Sequence, residues 1–583
     1  MSDNNESSTE RIKKASDGLR GTIEKSLENE ISGAISEDDT ALIKFHGMYQ
    51  QDDRDRRDER AAKKLDRLYS FMIRLRLPGG FLTPEQWIAI HNIAGENTTG
   101  VIKITTRQTL QLHGVIKSKI RPTIQAFNAA KLDSIATCGD VNRNVACTSH
   151  PKQSAMHEQI FAYAGKISEM LKPKTRAYYE IWLDDDKIVD KKEEEDPLYQ
   201  DRYLPRKFKI GLGIPPNNDV DVLANDLGLI AIIKDNKLEG FNIAVGGGLS
   251  TTHGNADTYA RLGTVLGFVE AGEKSMKAVY EVLTIQRDYG NRSDRKLARV
   301  KYTIDKVGVD WFREELERRI GFKLDKPAEF EYKERRDYYG WEQNHEGLWY
   351  YTPMVENGRI RDDEQCSIKT ALLEIAKTGK ANFRFTSNQN LIISDVHESD
   401  KDVINEILER FEVIKLTNES SKVRKNAMAC VALPTCPLAL SEGQRYLPRL
   451  IDKIEPILLK YQLDQEEIII RMTGCPNGCA RPYNAEIGFV GTAPGRYNML
   501  LGGDYQGLRL NKIYKESLDE SAILVELDGL FESFHNEKLA GESFGDFSVR
   551  KNWVESDCPP AKEGGERSER VVVFWSSKVI RTQ

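Results

Sequence analysis

The sequence predicts an α+β protein with several domains, and three observations support this. The chain has 583 residues, more than a single hydrophobic core usually contains, and domains of about 100–200 residues predict roughly three to five of them. Segments with helical spacing of apolar residues are separated by short apolar runs that are typical of buried strands. Two similar segments far apart in the chain indicate that one α+β unit occurs twice.

The internal repeat is seen when residues 103–112, KITTRQTLQL, are laid over residues 384–393, RFTSNQNLII. The matched pairs are Thr105 and Thr386, Gln108 and Gln389, and Leu110 and Leu391. Each copy follows a segment with helical spacing, TPEQWIAIHNIAGE in the first and SIKTALLEIAKTGK in the second. The separation is far too long for a solenoid repeat, so the pattern favours an old duplication of an α+β unit.

Composition and charge exclude several classes of protein. The chain is 30% charged and 39% hydrophobic, as in water-soluble globular proteins, and no apolar run approaches the ~18 residues that span a bilayer. Its first residues, MSDNNESSTE, match neither a secretory signal nor a transit peptide. The net charge of −6 gives no nucleic-acid footprint. We therefore expect a cytoplasmic protein that binds neither membranes nor nucleic acids.

Four of the eight cysteines form two close pairs. Cys430 and Cys436 lie in ACVALPTCPLA, and Cys475 and Cys479 lie in GCPNGCAR. These spacings differ from the short knuckles of ordinary zinc sites, and four thiolates equally satisfy an iron–sulfur cluster. Flanking prolines and glycines shape loops in which backbone N–H groups can point at sulfur. On spacing alone, an iron–sulfur cluster, a structural zinc site and four small buried side chains all remain open.

Cationic side chains recur beside probable strands and loops. The candidates are Arg74, Arg76, Arg107, Arg143, Lys207 and Lys209. Arg74 and Arg76 alternate along the chain, as Lys207 and Lys209 do, so each pair points to one face of a strand. A solvated strand face explains any single pair, but cations on an inner face are costly unless an anion meets them. Together they predict a pocket for an anionic substrate or a polycarboxylate cofactor.

Two further stretches have unusual composition. AVGGGLSTTHGN contains the consecutive glycines Gly246, Gly247 and Gly248, which allow backbone to approach a neighbouring group closely. Residues 48–67, MYQQDDRDRRDERAAKKLDR, are dense in charge, and this composition predicts a solvated helix face.

Longer motifs around the paired cysteines resemble those of one family. TCPLALSEGQRYLP and TGCPNGCARPYNAEIGFVGTAPGRYNMLLGG are similar to the most specific motifs of the siroheme- and iron–sulfur-dependent sulfite and nitrite reductases. The resemblance runs from FHGMYQQDDRD to SFGDFSVR, nearly the whole chain. It implies that a [4Fe–4S] cluster is held by Cys430, Cys436, Cys475 and Cys479. It also implies that Cys479 ligates the iron of siroheme.

The resemblance implies an activity and roles for the cations. The family reduces sulfite to sulfide with six electrons in assimilatory sulfur metabolism, or nitrite on the same scaffold. The residues that match its anion pocket are Arg74, Arg143, Lys207 and Lys209, with the lysines as proton donors because neighbouring cations lower a lysine pKa. The residues expected at the edge of siroheme are Arg107, Gln111, His113, Gly246, Gly247, Gly248 and Asn477.

The resemblance also implies the architecture, a three-domain siroheme reductase fold with two pseudo-twofold-related halves around the cofactors. The expected parts are an N-terminal arm at 1–69 packing with the C-terminal domain, ferredoxin-like half-domains at 70–135 plus 340–415, a first siroheme- and substrate-binding domain at 136–339, a second siroheme- and cluster-binding domain at 416–555, and an unassigned tail at 556–583.

The expected electron donor is a flavoprotein subunit that carries FAD and FMN, with ferredoxin as the alternative. GLGIPPNN follows a strand but lacks the third glycine of a dinucleotide site, so the chain is not expected to use NADPH by itself. Two other hypotheses remain, a nitrite reductase and a non-enzymatic four-cysteine metal-binding module. Comparing the turnover of sulfite with that of nitrite tests the nitrite reductase hypothesis. Visible absorption by siroheme would exclude the non-enzymatic metal-binding module.

Overall fold

The computed structural model describes residues 6–174, 182–183, 186–187 and 196–555, so the expected tail at 556–583 lies outside the described residues. In this part of the chain, no helix has both the length and the apolar character that a membrane crossing requires. Strands and helices are interspersed along the chain, as expected for an α+β protein.

The described strands and helices have the following bounds. The strands are β1 Met48–Asp52, β2 Tyr69–Arg74, β3 Phe81–Leu82, β4 Ile102–Ile104, β5 Leu110–Val115, β6 Ala146–Cys147, β7 Trp182–Leu183, β8 Asp186–Lys187, β9 Ile210–Gly213, β10 Leu227–Lys234, β11 Lys237–Val245, β12 Thr264–Glu270, β13 Gly340–Gln343, β14 Trp349–Thr352, β15 Arg359–Ile360, β16 Asn382–Phe385, β17 Leu391–Val396, β18 Met428–Ala429, β19 Ile470–Thr473, β20 Ile487–Ala493, β21 Arg496–Leu501 and β22 Lys512–Leu518. The helices are α1 Ser8–Ala15, α2 Ile23–Glu28, α3 Glu37–Leu42, α4 Arg57–Ala62, α5 Pro84–Asn97, α6 Ile120–Ala129, α7 His157–Met170, α8 Glu273–Tyr289, α9 Val300–Val307, α10 Val309–Ile320, α11 Ile368–Thr378, α12 Lys401–Arg410, α13 Val413–Glu419, α14 Lys422–Asn426, α15 Leu447–Lys460, α16 Glu520–Glu537 and α17 Phe544–Arg550.

Two five-stranded sheets share one strand order. The first is β1-β2-β5-β4-β15 and the second is β13-β14-β17-β16-β3. The last strand of each sheet comes from the other half of the chain: Arg359 of β15 pairs with Lys103 of β4, and Leu82 of β3 pairs with Phe383 of β16. Both sheets and helices α5 and α11 contribute to one hydrophobic core. The exchange of edge strands therefore joins the two halves.

The repeated sequence segment forms the same turn in both sheets. In each copy the threonine, Thr105 or Thr386, donates its backbone N–H to the C=O four residues further on at 2.9 Å. Gln108 and Gln389 both have left-handed backbone, with φ 51° and 68°, which is uncommon for a residue with a side chain. The amide of Gln108 stabilises its turn by donating to the C=O of Cys147 at 2.6 Å. The predicted repeat is confirmed, and its matched residues build this turn.

A second pair of five-stranded sheets repeats another order. These sheets are β6-β9-β10-β11-β12 and β18-β19-β20-β21-β22. In each, three parallel strands are followed by two antiparallel ones. Ile210 of β9 pairs with Leu227 of β10, as Ile470 of β19 pairs with Ile487 of β20. The loops that follow β9 and β19 therefore occupy equivalent places in the two sheets.

These two loops meet at a buried ion pair. Asp221 and Arg481 lie at equivalent positions with left-handed backbone, φ 46° and 57°, and Arg481 Nη1 lies 2.7 Å from Asp221 Oδ2. Arg335 and Arg471 also reach the carboxylate of Asp221, at 3.0 and 2.8 Å. Burial raises the pKa of Asp221, but the three guanidinium groups lower it by more, so the carboxyl stays ionised. Because removing one member of such a group leaves buried charges unpaired, this cluster fixes how the halves meet.

The N-terminal segment contacts three parts of the chain. The ammonium group of Lys13 donates to the C=O of Leu204 at 2.8 Å. Strand β1 pairs with β2. Arg54 donates to the C=O of Ala439, beside the first cysteine pair, at 2.6 Å. The contact with the C-terminal part is thus one of three, and the division into domains stays a prediction.

The charged stretch 48–67 differs from the expected single helix face. Its first residues form strand β1, and only Arg57–Ala62 is α-helical. The helix prediction is wrong for this first part, because pairing with β2 determines its conformation.

Candidate active site

The two cysteine loops lie side by side. Cys430 directly follows β18 and Cys475 follows β19, which are neighbouring parallel strands. The C=O of Gly474 accepts hydrogen bonds from the N–H groups of Leu440 and Ser441, at 2.7 and 3.0 Å. The N–H of Gly474 in turn points at the sulfur of Cys430, at 3.4 Å. The expected N–H contact to sulfur is therefore present, and the loops are joined through one glycine.

All four paired thiols interact with one another. Burial raises the pKa of Cys430 well above its ordinary value, and Cys479 is the charged neighbour that adds most to this. Burial and then Cys479 likewise raise the pKa of Cys436 to about 12. The thiol of Cys475 has the same two causes of a raised pKa. A cationic metal centre would reverse this repulsion, because four thiolates need positive charge among them.

The four-thiol set matches the ligand set of an iron–sulfur cluster. A structural zinc site also takes four thiolates, so the thiols by themselves leave both metal hypotheses open.

Gly474 and Gly478 of the second cysteine loop lie very close to neighbouring groups. A Cβ on Gly474 would lie 2.5 Å from the C=O of Ser441. Gly478 has φ 63°, and a Cβ there would lie 2.8 Å from the ring of Tyr483. Neither position accepts a larger residue without moving backbone or an aromatic ring.

Lys207 and Lys209 lie just before β9 and are half-buried. Within the described residues, neither ammonium group makes a hydrogen bond or an ion pair. Burial, followed by Arg299 and Arg107, lowers the pKa of Lys209 to about 7. Burial, followed by neighbouring cations, lowers the pKa of Lys207 well below its ordinary value, whereas the thiol of Cys479 acts in the opposite direction on both lysines. The predicted lysine pair therefore interacts electrostatically with Cys479, the cysteine that the resemblance assigns to siroheme.

Arg74 and Arg143 form a second group of cations. Both donate to the C=O of Thr137, at 3.2 and 3.0 Å. Both also lower the pKa of Tyr49, which burial and Cys138 raise. The structure thus brings these two predicted residues together on one carbonyl.

Arg206 interacts with the surroundings of both groups of cations, the two lysines and the two arginines, and was not among the residues predicted from sequence. Among the residues that the structure describes, its guanidinium group has no hydrogen-bond or ion-pair partner. Burial and then Arg295 lower its pKa to about 10. Arg206 interacts with Tyr49 on one side and lowers the pKa of Lys207 on the other. Arg206 is next to Lys207 in the segment PRKFK, and this proximity could have identified it. Alternation along a strand instead placed Arg206 on the face opposite to Lys207 and Lys209.

Gln111 and His113 set the orientation of Arg74. The amide of Gln111 is oriented with its oxygen accepting from Arg74 Nε at 3.0 Å. His113 Nδ1 lies 3.0 Å from Gln51 Oε1, and its Nε2 contacts the Gln111 amide at 3.3 Å. Burial, followed by Lys103 and Arg74, lowers the pKa of His113 to about 3. A neutral ring that donates to Gln51 and accepts from Gln111 satisfies the whole chain of contacts.

Arg107 makes three hydrogen bonds to other groups of the protein. Its Nη1 donates to Asn225 Oδ1 at 2.5 Å, and its Nη2 donates to the C=O of Asn144 and of Ile210 at 2.5 and 2.6 Å. Its buried Nε has no partner among the described residues. Arg107 therefore orders the loops around β9 and retains one free N–H for an anionic group.

The three consecutive glycines lie against other parts of the protein. A Cβ on Gly247 would lie 2.1 Å from the C=O of Leu223, and Gly246 has φ 83°. The buried ammonium group of Lys301 donates to the C=O of Gly248 at 3.0 Å. The same loop continues to Thr251, whose N–H donates to the C=O of Pro476 at 3.0 Å. The residues that follow the glycine run thus contact the second cysteine loop.

Asn477 points toward the thiols. Its side-chain Nδ2 donates to Cys475 Sγ at 3.5 Å, and this hydrogen bond lowers the pKa of that thiol. Asn477 was expected at the edge of siroheme, whereas its contact in the structure is with the cysteine set.

The donor groups fit both implied cofactors. Four mutually interacting thiols suit an iron–sulfur cluster. Arg206, Lys207 and Lys209 suit a polycarboxylate macrocycle, because half-buried cations without partners are costly until an anion meets them. The two sets adjoin at Cys479.

Two family models match the chain. The nitrite and sulphite reductase 4Fe-4S domain matches residues 162–324, and the nitrite/sulfite reductase ferredoxin-like half domain matches residues 63–130 and 341–411. Residues 162–324 contain no cysteine. The paired cysteines lie instead in loops that follow strands of the equivalent sheet, β18-β19-β20-β21-β22.

Curated relatives match nearly the whole chain. The Sulfite reductase [NADPH] hemoprotein beta-component of Leptospira biflexa serovar Patoc is 61% identical, over 94% of this chain and 98% of that protein. The protein of the same name from Staphylococcus haemolyticus is 51% identical, over 94% of this chain and 95% of that protein. The solved structure of Mycobacterium tuberculosis NirA protein has the same fold, with a TM-score of 0.75 and 24% identity over 93% of this chain and 96% of that chain.

The repeated sheets, the joined cysteine loops and the adjoining cations define a siroheme- and iron–sulfur-dependent reductase. The chain belongs to the nitrite and sulphite reductase family, among the sulfite reductase hemoprotein beta-components. The predicted fold class and the two predicted cofactors, siroheme and a [4Fe–4S] cluster, are confirmed. The roles of individual site residues stay predictions.

Proposed function

We propose that this chain reduces sulfite to sulfide with six electrons, in assimilatory sulfur metabolism in the cytoplasm. The observation that supports this most directly is that Lys207 and Lys209, which have no hydrogen-bond or ion-pair partner among the described residues, both interact electrostatically with the thiol of Cys479. The relatives are named as sulfite reductases, and the reduced thiols that the site needs persist in the cytoplasm.

Cys430, Cys436, Cys475 and Cys479 would hold the cluster, and Cys479 would also ligate siroheme. When bound, the two cofactors supply single electrons and an iron at which a small anion is reduced. Asn477 would hold Cys475 in place through its hydrogen bond to Sγ. The unshared N–H of Arg107 and the guanidinium group of Arg206 would meet siroheme carboxylates.

Lys207 and Lys209 would bind the sulfite oxygens and donate protons as these leave as water. Arg74 and Arg143 would complete the anion pocket, and Gln111 and His113 would keep Arg74 in its orientation. The glycines Gly246, Gly247 and Gly248 would place the loop that continues to Thr251 against the cysteine loop, at the edge of the siroheme site.

The proposed proton donors predict a pH dependence. Lys209, with a pKa of about 7, is an ammonium donor below that pH and a neutral amine above it, and the carboxylates of bound siroheme raise this pKa. We expect kcat/KM for sulfite to fall as pH rises through the pKa, and Lys209→Met to lack this limb. Sulfite itself titrates near neutral pH, so an inflection shared by both proteins belongs to the substrate. Identical profiles would contradict the assignment.

The test of the function is turnover with a chemical reductant. Purified protein with reduced methyl viologen should convert sulfite to sulfide and show siroheme absorption. Nitrite assayed in parallel measures the alternative substrate. A higher kcat/KM for nitrite would make the chain a nitrite reductase, and no turnover of either anion by protein with full siroheme would contradict the proposed function.

The chain should require a donor protein. NADPH gives a two-electron hydride, whereas the cluster and siroheme accept electrons singly, so a flavin must separate the pair. GLGIPPNN forms the end of β9 and a turn, without the helix that a dinucleotide site needs. We expect no sulfide from NADPH alone and sulfide when a flavoprotein subunit is added. Activity with reduced ferredoxin but not with the flavoprotein would assign the ferredoxin alternative.

A further inference from the structure

An exposed surface lies against the first cysteine loop and is not used by the site described above. It is formed by residues 53–68 and 433–449, named here the cluster-side surface. The N–H of Arg54 donates to the C=O of Pro434 at 3.3 Å. The guanidinium group of Arg54 donates to the C=O of Ala439 at 2.6 Å. Arg445 Nη1 lies 2.7 Å from Asp55 Oδ2, so the two segments form one continuous face.

The cluster-side surface exposes apolar side chains close to a cluster ligand. Leu438 is 62% exposed, and Leu65 and Leu68 are 52% and 38% exposed. Leu438 is two residues beyond Cys436. The C=O of Leu68 accepts a hydrogen bond from the N–H of Asp53, next to Arg54, at 3.2 Å. Exposed apolar groups with a charged surround are typical of protein interaction sites.

The charge of this surface is opposite to that of the whole chain. Its two segments contain nine Lys and Arg and six Asp and Glu, whereas the chain has a formal net charge of −6. Lys64, Arg67 and Arg449 are exposed. Their side chains make no hydrogen bond or ion pair in the part of the chain that the structure describes. Exposed cations of this kind, at the edge of an interaction surface, attract an acidic partner and accelerate its association.

We infer that the cluster-side surface docks the flavoprotein subunit through an acidic face around its flavin, and that electrons reach the cluster beside Cys436. This inference rests on the proposed function. The flavin transfers one electron at a time to the cluster and becomes oxidised by one electron at each step, while the cluster is reduced. A flavoprotein is the occupant that fits, because it alone among the expected donors accepts a hydride from NADPH and releases single electrons.

The test reverses charge at residues outside the catalytic and cofactor-binding set. Lys64→Glu with Arg67→Glu, and separately Arg449→Glu, should raise the KM for the flavoprotein subunit in NADPH-driven sulfite reduction by about tenfold at low salt. The matched control is Lys234→Glu with Lys237→Glu, two exposed lysines in the β10–β11 turn, which should leave this KM unchanged. The difference between wild type and the reversed variants should shrink as salt rises.

Reduced methyl viologen separates failure of this inference from failure of the proposed function. With this reductant all variants should reduce sulfite at the wild-type rate, because it needs no docking surface. Wild-type KM for the flavoprotein in both reversed variants, at all salt concentrations, would overturn the inference while leaving the function intact. An equal loss in the control variant would also overturn it, because the effect would then follow overall charge. Loss of viologen-driven turnover in wild type would instead contradict the proposed function.

Discussion

Replacing Cys479 by serine is expected to remove the visible absorption of both siroheme and the cluster from the purified protein and to abolish sulfite turnover. Cys479 is the charged neighbour that most raises the pKa of each of the other three paired thiols. It also raises the pKa of both Lys207 and Lys209, opposing the effect of burial. Cys479 thus interacts with the other three thiols and with both lysines, and a hard oxygen is a poor substitute for thiolate on iron.

The measurements for Cys479→Ser are the visible spectrum, the iron content and the extracted siroheme. Cys366→Ala is the matched control, because Cys366 is buried beside α11, away from the paired loops. Cys558→Ser, at a position outside the described residues, is a second control, and both variants should keep their cofactors. A Cys479→Ser protein with normal siroheme, normal iron and full activity would show that Cys479 is not shared between the cofactors.

The cysteine pairs could be predicted from sequence because their geometry is local. Each pair sits in a loop shaped by prolines and glycines, and a few residues decide where its sulfurs point. The repeat could be predicted for the same reason, since Gln108 and Gln389 must both adopt a left-handed turn. Such constraints act within a few residues, so they remain visible in the sequence after the rest has diverged.

Contacts between distant segments could not be predicted. The exchange of β3 and β15 between sheets depends on pairing across more than two hundred residues, for example between Arg359 and Lys103. Alternation along a strand identified Lys207 and Lys209 but excluded Arg206. All three residues precede β9, where strand alternation does not determine which side chains share a face. The sequence marks Arg107 as a cation but cannot show that three of its contacts are to the protein.

The two related sheets have divided the chemistry between them. Because Ile210 and Ile470 are equivalent, Lys209 corresponds to the buried Ile469, and Cys479 corresponds to Asp219. The first copy therefore provides the cations and the second copy provides the thiols. The lysines precede β9, whereas Cys475 and Cys479 follow β19. The loop that follows β9, residues 214–226, has no Lys or Arg, and its Asp221 pairs with Arg481 of the cysteine loop. Divergence therefore put the cations before the strand in one copy and the thiols after the strand in the other, so the site requires both halves.

Replacing Lys207 or Lys209 by methionine is expected to lower kcat for sulfite by ~10²-fold or more while siroheme and iron stay bound. Methionine keeps an unbranched apolar side chain but removes the positive charge and the transferable protons. Both lysines are half-buried and free of hydrogen bonds within the described residues, so their removal leaves no protein group unsatisfied. The loss should therefore appear in turnover and not in folding or cofactor content.

The measurements for these lysine variants are steady-state sulfite kinetics with reduced methyl viologen, together with siroheme and iron content. Lys237→Met is the matched control, because Lys237 is exposed in the β10–β11 turn. Arg143→Ser should raise KM more than it lowers kcat, since Arg143 carries charge but its pKa is too high for proton donation at neutral pH. If the lysine variants raised KM for sulfite as Arg143→Ser does but left kcat unchanged, Lys207 and Lys209 would bind sulfite without donating protons. Wild-type kinetics in both lysine variants would show that the cations before β9 only counter the siroheme carboxylates, and protons would then have to reach sulfite from water.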